Sequence, residues 1–91
     1  MSVRVKLPTQ LRAVAGGQGE LTVEGSTVAE VLDALYAQQP ELKDRLTDDD
    51  GTLRRFVNVY VDGEDIRFGD GLSTPVSAGA EVQVLPAVAG G

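Results

Sequence analysis

The sequence predicts an α+β domain, a mixed sheet of about five strands with one main helix laid across it. Three patterns carry the prediction. Val3, Val5 and Leu7 alternate with Arg4 and Lys6 near the start, and Val57, Val59 and Val61 alternate with Phe56, Asn58 and Tyr60 in the second half. Period-two alternation of this kind marks half-buried strands. Between them Val28, Val31, Leu32 and Leu35 fall at i, i+3, i+4 and i+7, the apolar stripe of a helix that covers a sheet.

The elements follow in chain order. Pro8 ends or edges the first strand, because it has no N–H to give a ladder. Thr9 to Val14 is read as a short turn. Gly16-Gly17-Gln18-Gly19 then supplies a permissive backbone for reversal into a second strand over Glu20 to Val23. This glycine cluster fits neither GxGxxG nor a P-loop, so it reads as a turn and not as a phosphate cradle. Thr27-Val28-Ala29-Glu30 has the S/T-x-x-E spacing of a capping box and starts the main helix. The helical pattern fades at Gln38-Gln39-Pro40, and a short second helical turn over Pro40 to Leu46 follows.

Asp48-Asp49-Asp50-Gly51 lacks the alternate spacing and distal glutamate of a calcium loop and reads as solvated, with Arg54-Arg55 as its mixed-charge continuation. The strand over Phe56 to Val61 turns at Asp62-Gly63 and returns over Glu64 to Phe68. Gly69-Asp70-Gly71 and Ser73-Thr74-Pro75 form an irregular crossing, and Ala80 to Leu85 is the last strand. With a helix between them, the first and last strands can pair in parallel at the sheet centre. That order, ββ, helix, ββ, then a final strand, is the arrangement of a β-grasp (ubiquitin-like) domain. Pro86 biases Leu85 toward an extended shape, so the chain is expected to leave the sheet there. The expected organisation is a β-grasp domain over residues 1–86 and a flexible C-terminal tail over 87–91.

Composition narrows the function. Ninety-one residues suffice for one modest core without a separate catalytic lobe. A net charge of −6 argues against nucleic acid, whose phosphates need cationic partners, and favours a basic protein surface. No apolar run is long enough to cross a bilayer, and Met1-Ser2 leads straight into the first strand without a signal-peptide pattern, so the expected compartment is the cytoplasm and no membrane partner is expected. The chain has no histidine and no cysteine. It therefore lacks the usual base near neutral pH, the usual thiol nucleophile and the commonest soft metal ligands. No metal or bound cofactor is expected, and the reading is of a protein that is not itself an enzyme.

What remains is the end of the chain. Ala87-Val88-Ala89 is neutral and small, and Gly90-Gly91 presents a carboxylate with no side chain beside it. Five residues beyond Pro86, at up to about 3.3 to 3.6 Å each, reach roughly 17 Å, enough to thread an end into another protein's active site. A terminal carboxylate ionises near pH 3.3 to 3.7 and is a poor electrophile at neutral pH, so chemistry at Gly91 needs an activating leaving group supplied from outside.

The β-grasp order closing on Leu85-Pro86-Ala87-Val88-Ala89-Gly90-Gly91 resembles the ThiS/MoaD family of ubiquitin-like sulfur carriers over the whole chain. Within that family, Phe56-Val57-Asn58-Val59-Tyr60-Val61 with Glu64-Asp65-Ile66-Arg67-Phe68, and the Pro-Ala-Val-Ala-Gly-Gly ending, are similar to the CysO type. The resemblance implies that Gly91 is adenylated by an E1-like adenylyltransferase/sulfurtransferase that uses ATP, and is converted to a thiocarboxylate. It further implies that the sulfur passes to a biosynthetic enzyme, a cysteine synthase-like acceptor of activated serine in the leading reading. A molybdopterin synthase small subunit and a donor to a secondary metabolite such as a thiosugar are the alternatives.

The chain would then be a co-substrate of its partners and a monomer when free. By position, Pro8 and Leu85 match the family's exposed apolar patch for the activating enzyme, and Val88, Ala89 and Gly90 match the threaded tail. Phe56, Tyr60 and Phe68 can be core or patch, and core is expected for each. Two other classes stay open: a ubiquitin-like modifier joined to lysines through Gly91, and an inert binding module.

Overall fold

The computed structural model describes residues 2–50, 52–54 and 57–86. Strand β1 (Ser2–Lys6) leads into a one-turn helix α1 (Thr9–Arg12), and strand β2 (Glu20–Glu24) returns antiparallel to β1 with Val3 opposite Val23 and Val5 opposite Leu21. The reversal between them uses Gly16 and Gly17 at φ of 69° and 87°, a left-handed backbone that only glycine adopts at little cost. Helix α2 (Val28–Gln38) and helix α3 (Pro40–Leu46) follow, the latter opening on a proline that needs no intrahelical partner at that position. Strand β3 (Val57–Val61), the short strand β4 (Glu64–Asp65), two 3-10 turns (Ile66–Phe68 and Gly71–Ser73) and strand β5 (Glu81–Pro86) complete the chain.

The sheet order is β2-β1-β5-β3-β4, with β1 and β5 parallel at the centre and the other pairs antiparallel. This is the expected β-grasp arrangement. One face of the sheet carries Val3, Val5, Val59, Val82 and Val84, and the α2 stripe of Val28, Val31, Leu32 and Leu35 is buried with them, joined by Leu42 and Leu46 of α3. Each such side chain contributes roughly 1.5–3 kcal/mol of transfer free energy when fully buried.

The two central strands lose their pairing at one end through proline. The Arg4 amide donates to the Ala80 carbonyl at 3.0 Å and the parallel register stops at Lys6 opposite Gln83. The next donor in that alternation would be residue 8, a proline. On the other side of β5 the Asp62 amide donates to the Glu81 carbonyl at 2.9 Å. Antiparallel pairs alternate between bonded and non-bonded, so 62/81 sets 60/83 and 58/85 as bonded pairs and leaves Val57 opposite Pro86 in a non-bonded pair. Strand β5 therefore runs one residue further than expected. Pro86 closes it without a lost hydrogen bond to β3, because the missing N–H does not point at β3.

Two other expectations need correction. The return strand does not run from Glu64 to Phe68: it stops after Asp65, whose Oδ1 accepts the Arg67 amide at 2.8 Å and turns the chain into a 3-10 helix. A three-residue turn buries Ile66 and swings Phe68 out to 91% exposure, so Phe68 is not a core residue. Tyr60 is half-buried on β3, and Phe56 lies outside the described residues.

Candidate functional site

The sequence-predicted site has two parts, the terminal glycines and the surface from which they spring. Val88, Ala89, Gly90 and Gly91 lie outside the described residues, and so does the expected boundary between domain and tail. The structure does describe the root of that segment, where β5 ends.

Pro8 and Leu85, far apart in sequence, line one open groove of about 660 Å³. Pro8 is brought there because β1 ends at Lys6 and α1 begins with Pro8 as its extended N-terminal flank, at φ −69° and ψ 163°. Leu85 is brought there because alternation along β5 sends Val82 and Val84 into the core and Gln83 and Leu85 to the uncovered face. Both are half-buried, so the two residues named from the family's exposed apolar patch lie here as partly sheltered side chains and not as a broad exposed surface.

The groove is also more polar than that patch suggests. Lys6, Arg12, Glu20 and Gln83 line it alongside Pro8 and Leu85. Arg12 is held there by the Leu7 carbonyl, which accepts from its Nε at 3.3 Å, and a Cβ on Gly19 would lie 2.8 Å from that same nitrogen. Glycine at 19 therefore leaves room for the guanidinium. Lys6 Nζ stands 3.3 Å from Glu81 Oε2, and further along the same face Arg4 lies 3.9 Å from Glu20. The sequence reading missed Lys6, Arg12 and Gln83 as groove residues. Alternation on β1 and β5 already put Lys6 and Gln83 on the uncovered face with Leu85, but nothing in the sequence foretold that α1 would aim Arg12 back toward the strand end.

Chemically the groove can grip a partner through two apolar contacts and a rim of mixed charge, in which Lys6 and Arg12 stand with Glu20. Among the described residues no cluster of three metal-ligating side chains occurs, and no helix is long and apolar enough to cross a membrane.

Residues 5–91 match the ThiS family. The chain belongs to that family. As a ThiS-family protein it is 45% identical over 93 residues to the sulfur carrier protein CysO of Mycobacterium tuberculosis, covering 100% of both chains. It is 38% identical over 88 residues to small archaeal modifier protein 1 of Haloferax volcanii, covering 94% of this chain and 97% of the relative. In three dimensions it superposes with a TM-score of 0.89, at 43% identity, on a chain in the crystal structure of the Amycolatopsis orientalis BexX/CysO complex, covering 98% of this chain and 99% of that one. The ubiquitin-like β-grasp fold of the ThiS family is thus the fold seen here.

Proposed function

We propose that this ThiS-family chain is a sulfur carrier protein whose Gly91 carboxylate is the reacting group, delivering sulfur to a biosynthetic acceptor. The observation that carries this reading is the end-to-end similarity, at 45% identity, to a protein named as the sulfur carrier CysO. The chain's chemistry is consistent with it, since it has neither cysteine nor histidine to act in place of its terminus.

The reaction divides into steps that partners perform. An E1-like enzyme joins the Gly91 carboxylate oxygen to the α-phosphorus of ATP and releases pyrophosphate. A sulfide-level nucleophile attacks the acyl carbon, AMP leaves with the electron pair of the acyl–oxygen bond, and Gly91 carries a thiocarboxylate. Its sulfur then attacks the electrophilic carbon of the acceptor, activated serine on the route to cysteine, and displaces the activating group; hydrolysis of the resulting thioester frees the thiol product and restores the Gly91 carboxylate. The globular domain contributes recognition: the Pro8 and Leu85 groove at the strand end offers the activating enzyme a hold beside the emerging tail. Ordering the five tail residues costs on the order of 5 to 10 kcal/mol, which strand-like hydrogen bonds and docking of the domain must offset.

Incubation with a cognate adenylyltransferase, ATP and a sulfur donor, followed by intact mass measurement, tests the proposal. A gain equal to one oxygen replaced by sulfur, mapped to Gly91, is expected; an unmodified terminus under conditions that convert a known carrier would overturn it. The 38% identity to an archaeal modifier protein favours a second reading, conjugation to lysines through the same activated terminus. Digests of cellular protein bearing the terminal glycines on lysine side chains would support that reading, and their absence alongside a thioacid would support the first.

A further inference from the structure

A second groove, of about 520 Å³, opens at the turn between β3 and β4. It lies at the start of β5, near Glu81, whereas the tail begins after Pro86 at the other end of that strand. Five residue steps along a strand separate the two by roughly 17 Å. The groove is therefore no part of the surface around Pro8 and Leu85, and what it binds does not depend on the chemistry proposed for Gly91.

Its walls combine two features. Tyr60, Phe68 and Pro75 give it an apolar lining, and Phe68 is 91% exposed, so its ring face is open to a ligand. Around them stand Asp62, Glu64 and Asp65, with no cation among the residues that line the groove. Two of these carboxylates are fixed by the backbone: Asp62 Oδ1 accepts the Glu81 amide at 3.0 Å, and Asp65 Oδ1 accepts the Arg67 amide at 2.8 Å. Each is held by one oxygen, and the Glu64 carboxylate has no hydrogen bond or ion pair among the described residues. A further polar atom is in want of a partner. Thr74 Oγ1 is shielded from solvent and has no hydrogen-bond partner among the described residues, and it lies 3.6 Å from where a Cβ on Gly69 would sit, so the glycine leaves space beside it.

An exposed ring beside anchored carboxylates fits one kind of group closely. A planar guanidinium stacks on an aromatic face and offers five donors in a fork to carboxylate and hydroxyl oxygens, whereas an ammonium is a compact, strongly hydrated point charge. We propose that this acid-rimmed aromatic groove docks an arginine side chain presented by a partner protein, at a surface separate from the root of the tail. A partner could hold the domain there while the far end of β5 feeds its tail into an active site.

The test is titration of the labelled protein with N-acetylarginine amide, followed by amide chemical shifts. Saturable shifts confined to Gly63, Glu64, Asp65, Phe68 and Gly69 are expected, absent with the neutral citrulline analogue and weaker with the lysine analogue. Phe68→Ala, at an exposed position, should weaken binding about two- to fivefold, and Glu64→Gln should weaken it as well. The Asp48 to Asp50 loop is the internal control, being acidic without an aromatic wall. Shifts of equal size there, a linear response without saturation, equal binding of citrulline or lysine, or indifference to Phe68→Ala would each overturn the proposal.

Discussion

The Glu30 carboxylate accepts the Ser26 amide at 2.9 Å and the Ser26 hydroxyl at 2.8 Å, while the Glu30 amide donates to Thr27 Oγ1 at 3.3 Å. The capping box at the start of α2 is thus shifted by one residue on its return arm: the threonine caps the helix, and the glutamate ties down the residue before it. The Ser26 amide, and after it the hydroxyl, holds the Glu30 carboxyl below its usual value of 4.5. A depressed folded-state value means that the stabilisation is present above the unfolded value and is lost as pH falls through the folded one. Glu30→Gln should therefore be less stable than the parent at pH 7, with the gap closing below about pH 4.5. Urea midpoints at pH 7 and pH 3 check this, and an equal gap at both would refute the charged bond.

Gly25, just before this cap, faces the same helix start. A Cβ there would lie 2.8 Å from the Val31 amide nitrogen and 2.9 Å from Val31 Cγ2. Neither atom is the free end of a flexible chain, and Val31 is fully buried. Gly25→Ala should cost about 1–3 kcal/mol by forcing the β2 end away from α2. Thermal unfolding at neutral pH measures it; a variant as stable as the parent would show that the approach is looser than this.

Tyr36 sits on the same helix with a hydroxyl that is buried and has no partner among the described residues. Burial, with the Asp33 charge adding to it, pushes its ionisation up from 10.0 to about 12. A raised folded-state value makes the contribution complete below the unfolded value and lost as pH rises through the folded one. Tyr36→Phe removes the unpaired hydroxyl, so its stability at pH 7 should equal the parent's or exceed it by about 1 kcal/mol. Between pH 10 and 12 the parent should lose stability relative to the variant. Parallel decline of the two would contradict the assignment.

How far the sequence spoke depended on the range of the forces involved. Helix α2 and the strand alternations were legible because burial of Val28, Val31, Leu32 and Leu35 against Val3, Val5 and Val59 imposes a period that survives in the sequence. Residues 64–68 misled because alternation and a 3-10 turn both bury Ile66. The deciding element is one local hydrogen bond, from the Arg67 amide to Asp65, which leaves Phe68 outside. At the strand end, Pro8 and Leu85 were singled out through resemblance alone, and the structure shows that they line one groove. Arg12 was not, since its place depends on a bond to the Leu7 carbonyl that only the folded turn creates.

Leu85 offers the sharpest test of that groove. Its side chain is half-buried on the uncovered face, while its neighbours Val84 and Val82 are fully buried. A polar replacement therefore forfeits little core packing, and Leu85→Ser should shift folding stability by no more than about 1 kcal/mol. Binding is another matter: an apolar anchor at the centre of a protein contact commonly carries 2 kcal/mol or more, about thirtyfold in affinity. If the activating enzyme grips the domain beside the emerging tail, Leu85→Ser should raise the KM for this chain in adenylation by at least about tenfold, with kcat little changed. Leu72 supplies the comparison, being 41% exposed and not part of the groove. Leu72→Ser should leave the KM where it was. Equal losses in both variants would point to a general demand for surface apolarity, and no loss in Leu85→Ser would move the partner's grip away from the end of β5.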